Sequence, residues 1–253
     1  MEKEKDLNEL VEKLKQAAGA NLRSVVLYGS AVAGDYHPKH SNLNVLCVLG
    51  NLEPAEIAKL RSAARWWEGK GHPVPLVFTA EELHHAADVF AIELVDIQEH
   101  RRVLFGEDFF ATLEVPLRLH RVQVERELRH GLVRLRERYL ASPGDPKSLV
   151  ALMTASVSSF ATLFRHAALA LAPASSSPRP PGAEGKDRGR KRDAVDGLAA
   201  LLGFDAAPFH AILDVREGKR ASKEVDAEAT FREYLQGVTR VVQEVDRRLA
   251  QEQ

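Results

Sequence analysis

The stretch VVLYGSAVAGDYHPKHSNLNVLCVLG, residues 25–50, narrows the fold more than any other feature. It holds two short apolar runs, and each is stopped by a glycine, Gly29 and Gly50. Runs rich in valine and leucine that end this abruptly read as strands, because glycine lets the backbone turn out of the pleat. A third run, HPVPLVFT at 72–79, carries two prolines and belongs near a sheet edge, where a missing N–H removes no ladder bond. A fourth short strand is expected over RRVLFGED.

Helical patterns alternate with these strands. Leu7, Leu10, Val11 and Leu14 recur at helical spacing before Gly19, and Glu53 to Gly69 reads as one helix with Pro54 in its first turn. The segment AEELHHAADVFAIELVDIQEH is helical or mixed. From Pro116 the character changes. Leu117, Val124, Leu128, Leu132, Leu135 and Tyr139 form one stripe among arginines, and Pro143-Gly144 ends it. Residues 149–172 are apolar nearly all round, and further helical segments follow near 191–203, 206–216 and 223–249. Between them, 173–190 is rich in Pro, Gly and Ser and is expected to be a flexible loop. The expected fold class is α+β: a mixed sheet with flanking helices over 1–115, then an all-α helical bundle over 116–253.

Charge divides in the same place. Residues 1–115 hold 12 Lys and Arg against 18 Asp and Glu, whereas the remainder holds 23 against 18. The total of −1 gives no global attraction to nucleic acid or an anionic membrane. Cys47 is the single cysteine, which excludes an intramolecular disulfide and an all-cysteine metal site. The N-terminus is charged, without an apolar signal segment, so a cytoplasmic protein is expected. The run 149–172 is interrupted by Arg165-His166 and reads as the buried helix of a bundle, since a span needs roughly 20 apolar residues.

The chemistry-bearing residues lie between the first two strands. Gly29 permits close approach of a ligand to the backbone, and Ser30 is expected in the first turn of a short helix, SAVAG, facing a phosphate. Asn42 and Asn44 are two apart at the start of a strand, so they share a face. The pattern LYGS-x3-GD-x5-S-[DN]-x-[DN], Leu27 to Asn44 with an apolar run behind it, resembles the signature of the DNA-polymerase-beta-like nucleotidyltransferase superfamily. The layout of a catalytic domain followed by a helical bundle is similar to the kanamycin-nucleotidyltransferase-like arrangement. That resemblance implies that Gly29 and Ser30 grip the triphosphate of a nucleoside triphosphate. It also implies two Mg²⁺ ions on acidic residues at positions 42 and 44, and a third carboxylate on a later strand.

This chain departs at each carboxylate. Positions 42 and 44 are both Asn, and PVPLVFT offers no acid. An amide oxygen brings no charge, and Mg²⁺ prefers hard anionic oxygen. Asp35 on the same loop is a candidate rescue ligand, and Lys39 a candidate phosphate contact. Three functions follow. The first is a catalytically degenerate nucleotidyltransferase-fold protein that binds a nucleoside triphosphate or another phosphorylated ligand and needs no cofactor. The second is an active transferase that attaches a nucleoside monophosphate to an acceptor and releases pyrophosphate, with Mg²⁺ in a rearranged site. The third is a protein–protein scaffold. The apolar second helix of the bundle leaves room for a homodimer or a protein partner, while neither a membrane nor a nucleic acid is expected.

Other residues weigh less. His37 and His40 are read as solvent-exposed loop histidines. Of Trp66 and Trp67, one is expected to pack and the other to be exposed, able to stack a base. The interleaved Glu125, Glu127 and Glu137 suit a solvated, salt-bridged arginine helix.

Overall fold

The computed structural model describes residues 2–33, 42–172 and 191–251. The two apolar runs form β1 (Leu22–Tyr28) and β2 (Asn44–Leu49), paired antiparallel with Leu27 opposite Val45 and Tyr28 opposite Asn44. β3 (Leu76–Thr79) joins β2 in parallel, and β4 (Arg101–Gly106) joins β1 antiparallel, giving the order β3-β2-β1-β4. β3 therefore lies at an edge, just after Pro73 and Pro75, in keeping with the expected position.

A parallel pair needs a crossover connection. Between β2 and β3 it consists of α2 (Pro54–Lys59) and α3 (Arg61–Gly69). The expectation of one helix over Glu53–Gly69 is corrected here. The Leu60 N–H reaches back only three residues, to the Ile57 carbonyl at 3.1 Å, so the turn tightens while the Leu60 side chain is buried.

Strand alternation sends side chains to two faces, and each face has its own cover. Val25, Leu27, Val45 and Cys47 pack with Leu7, Leu10 and Leu14 of α1 (Glu2–Ala18) and with Trp67. Val26, Leu46 and Val48 pack with Leu83 of α4 (Ala80–Ala86), with Leu94 and Ile97 of α5 (Ala91–Glu99), and with Phe110. α4 starts where the sequence says it should: the Thr79 hydroxyl accepts from the Glu82 N–H, and the Glu82 carboxylate accepts from the Thr79 N–H, each at 3.0 Å. Burial pushes the Cys47 thiol up to about 12, so it behaves as a small core residue.

The described chain divides into two compact units, the first running to Pro116 and the second starting at Leu117. The second contains α6 (Leu117–Ala141), α7 (Pro146–Leu171), α8 (Lys191–Leu202), α9 (Ala207–Arg216) and α10 (Ala227–Gln251). Asp145 caps α7 by accepting from the Lys147 and Ser148 N–H groups, with Pro146 at the first helical position. Among the described residues, α7 is the one helix long and apolar enough to cross a membrane. Its Leu149, Met153, Val157, Phe160 and Phe164 are buried, and it packs against α6, α8, α9 and α10. Phe160, Phe164, Phe204, Phe209 and Tyr234 form an aromatic cluster with centroid separations of 4.6 to 6.3 Å.

The α6 stripe is buried at Val124, Leu128, Leu132 and Leu135, but Leu117 and Tyr139 are each 43% exposed. Both lie on the expected stripe, near opposite ends of a 25-residue helix. Tyr139 stacks on Phe231 instead, with ring centroids 4.4 Å apart. The fold is α+β, a four-stranded mixed sheet covered by helices and followed by helices alone. The expected loop at 173–190 lies outside the described residues.

Candidate functional site

The site is built where β1 ends and β2 begins. Gly29 follows Tyr28 with φ +80, a conformation that favours glycine. Its N–H donates to the His100 carbonyl at 3.2 Å, and its carbonyl accepts from the Val32 and Ala33 N–H groups at 2.9 and 3.0 Å. The chain thus makes a three-residue 3-10 turn, Gly29–Ala31, with Ser30 half-buried at its centre. Over the described part of SAVAG, residues 30–33, this turn stands in place of the expected helix. A single turn carries little macrodipole, so a phosphate there would be held by individual donors rather than by a helix terminus.

The pairing of Tyr28 with Asn44 brings the second half of the motif alongside. A Cβ on Gly29 would stand 3.1 Å from Asn44 Nδ2, so the carboxamide sits against the bare glycine. Asn44 is half-buried, whereas Asn42 is exposed and precedes the strand. Leu43 between them is buried in the core, and its N–H donates to His72 Nδ1 at 3.4 Å. The His72 ring lies 4.3 Å from that of fully buried Trp67. Burial holds His72 below its ordinary value of 6.5, with Asp6 opposing and Lys3 and Lys70 reinforcing the shift. Asp35, Lys39, His37 and His40 lie outside the described residues.

On the other side, β4 places Arg101 opposite Tyr28. Arg101 forms a two-pronged pair with Asp108, Nε to Oδ1 at 2.9 Å and the terminal nitrogen to Oδ2 at 2.8 Å, and also donates to the Gln98 carbonyl. Asp108 Oδ1 further accepts from the Phe110 N–H at 3.1 Å. This carboxylate is committed to holding the segment after β4. Burial raises the Tyr28 phenol above its usual range, so it stays protonated.

Among the described residues, these groups do not fit a pair of magnesium ions. The donors at 42 and 44 are neutral carboxamides, β3 contributes no acid, and Asp108 is neutralised by Arg101. Mg²⁺ dehydrates reluctantly and takes anionic oxygens from protein or substrate. Among the described residues, what the arrangement offers an anion is polar and uncharged: the Ser30 hydroxyl and the Asn44 amide, set against a glycine that leaves room for close approach.

Trp66 corrects one expectation. It is half-buried, not exposed, and the ammonium groups of Lys13 and Lys70 stand 5.0 and 5.4 Å from its ring centroid. Two features escaped the sequence reading. His72 follows Gly71, a glycine at φ +84, in GKGHP, and the only hint was a histidine placed just after a turn. The second is a pair of buried imidazoles in the bundle, His120 Nε2 and His166 Nδ1, 2.9 Å apart. Their positions, 46 residues apart, give no local signal.

No family model matches the chain, and no curated protein matches it. Among solved structures it is similar to spectinomycin adenyltransferase from Enterococcus faecialis, determined with ATP and spectinomycin. The identity is 13% over 92% of this chain and 98% of that one, with a TM-score of 0.47. A likeness of that degree assigns neither a family nor an activity.

Proposed function

We propose that this chain is a nucleotidyltransferase-fold protein that binds a nucleoside triphosphate or another phosphorylated ligand without metal-dependent nucleotidyl transfer. One observation carries the reading: the Asn44 carboxamide lies against Gly29, at the place where the sequence resemblance implies a metal-binding carboxylate. A carboxylate there would repel a polyphosphate unless a cation stood between them. A carboxamide donates two N–H groups and meets phosphate oxygens directly. The Ser30 hydroxyl adds a donor from the adjoining turn. The substitution of amide for acid thus weakens metal binding while it favours contact with a bare anion.

Calorimetric titration of the full chain with each of the four common nucleoside triphosphates, with and without Mg²⁺, tests this reading. Binding that needs no Mg²⁺, with no pyrophosphate formed, is the expected result. Binding that requires Mg²⁺ and is followed by pyrophosphate release would overturn it, and Asp35 would then be the first residue to replace. If no triphosphate binds, the protein scaffold becomes the better account.

A further inference from the structure

The Asn pair is held in place by a residue outside the motif. Leu43 is anchored twice: its side chain is buried in the core beneath the sheet, and its N–H is taken by His72. Because Leu43 lies between Asn42 and Asn44, anchoring it restrains the backbone that carries both carboxamides. His72 is itself held by its ring contact with Trp67, whose side chain is fully buried. The turn at Gly71 delivers it there.

We propose that His72 is a positioning residue for the Asn42–Leu43–Asn44 segment, and that it holds this segment only while its imidazole is neutral. The inference rests on the ligand reading above for its functional consequence, though not for its structural part. An imidazole accepts a hydrogen bond at Nδ1 only when that nitrogen carries no proton; the imidazolium has two donors and no acceptor. Protonation therefore turns the Leu43 contact from attraction into two opposed N–H groups. Among the described residues, the charged groups facing His72 are Lys3 and Asp6 of α1 and Lys70 at the end of α3. Asp6 and Lys70 are themselves paired at 3.0 Å. Burial keeps the ring neutral near pH 7, so the segment is set under neutral conditions and released as the solution becomes acidic.

The test uses the intact chain and two variants. His72→Asn keeps an acceptor close to the place of Nδ1 that does not protonate in this range, whereas His72→Phe keeps the ring on Trp67 and loses the acceptor. Without ligand, the Leu43 amide resonance and its hydrogen exchange are followed from pH 8 to pH 5. They are expected to follow the His72 titration in the native chain and to be flat in His72→Asn. With ATP and no Mg²⁺, the dissociation constant of the native chain should rise roughly three- to tenfold relative to His72→Asn on acidification, the scale of one hydrogen bond. Taking that ratio cancels the titration of the ATP phosphate itself. His72→Phe should bind more weakly than His72→Asn at every pH, and more weakly than the native chain at pH 8, where the native imidazole is neutral.

A Leu43 amide indifferent to the His72 titration would overturn the proposal. So would His72→Phe binding ATP like the native chain at pH 8. If the native chain binds no ATP at any pH while the Leu43 amide still follows His72, the ligand reading falls and the positioning role stands.

Discussion

The polar groups at the strand ends of the sheet unit and the polar pairs inside the helical unit are treated in opposite ways. In the sheet unit, Ser30, Asn42, Asn44 and His72 gather where β1 ends and β2 begins, partly open to solvent, and the two apolar cores lie behind them. In the helical unit, two polar pairs lie inside the bundle. His120 and His166 meet at 2.9 Å with almost no exposure, and the Tyr234 hydroxyl bonds the Ser156 hydroxyl at 2.9 Å. The difference teaches where each chemistry is spent. Polar groups at strand ends are available to a ligand and contribute little to folding. Enclosed ones are costly unless paired, and these two pairs serve packing.

Phe209 lies at the centre of the aromatic cluster in the helical unit with no exposed surface. Phe209→Ala should cost about 3–5 kcal/mol in denaturant unfolding, because the cavity cannot collapse among large rings. A cost below about 1 kcal/mol would show that the cluster is loosely packed, and the contrast between the units would fail. His166→Leu removes one partner of the imidazole pair and should cost about 1–3 kcal/mol while ATP affinity stays unchanged. An altered affinity with stability intact would place that pair in ligand binding.

The sheet unit should respond the other way. Asn44→Asp should lower ATP affinity in the absence of Mg²⁺ about tenfold, equivalent to about 1.4 kcal/mol, and leave the unfolding midpoint nearly unchanged. Adding Mg²⁺ should restore part of the loss in this variant and not in the native chain. Ser30→Ala should weaken binding roughly three- to tenfold. Unchanged affinity would remove Ser30 from the phosphate cradle.

The smallest effect is a pH dependence of stability. His72 in the folded chain lies below its ordinary 6.5, so the unfolded chain takes up the proton first as pH falls. Its contribution to stability is complete above 6.5 and is lost as pH drops from there through the folded value. His72→Asn should flatten this part of a plot of unfolding midpoint against pH; a native plot without any slope below 6.5 would contradict the assignment.

Much of the architecture was legible because it depends on period and punctuation. The alternation of Val25, Val26 and Leu27, closed by Gly29, determines a two-sided strand, and the prolines beside β3 determine an edge. The residues of the Gly-Ser turn and the Asn pair were legible as a pattern of type and spacing. The Leu60 break was not, because it depends on where a side chain finds burial. Nor were the two ends of the α6 stripe, where the same helical angle meets different neighbours.

The sequence by itself determined the strands, the helices apart from the break at Leu60 and the turn after β1, and the absence of acid at positions 42 and 44, since each follows from residue type and local spacing. Only the tertiary structure decided that Asn44 lies against Gly29, that His72 reaches Leu43, and that His120 meets His166. Those contacts join residues 15, 29 and 46 positions apart, and no local propensity sets such distances. They follow from strand register and from the packing of side chains into a dense interior, which only the whole chain can specify.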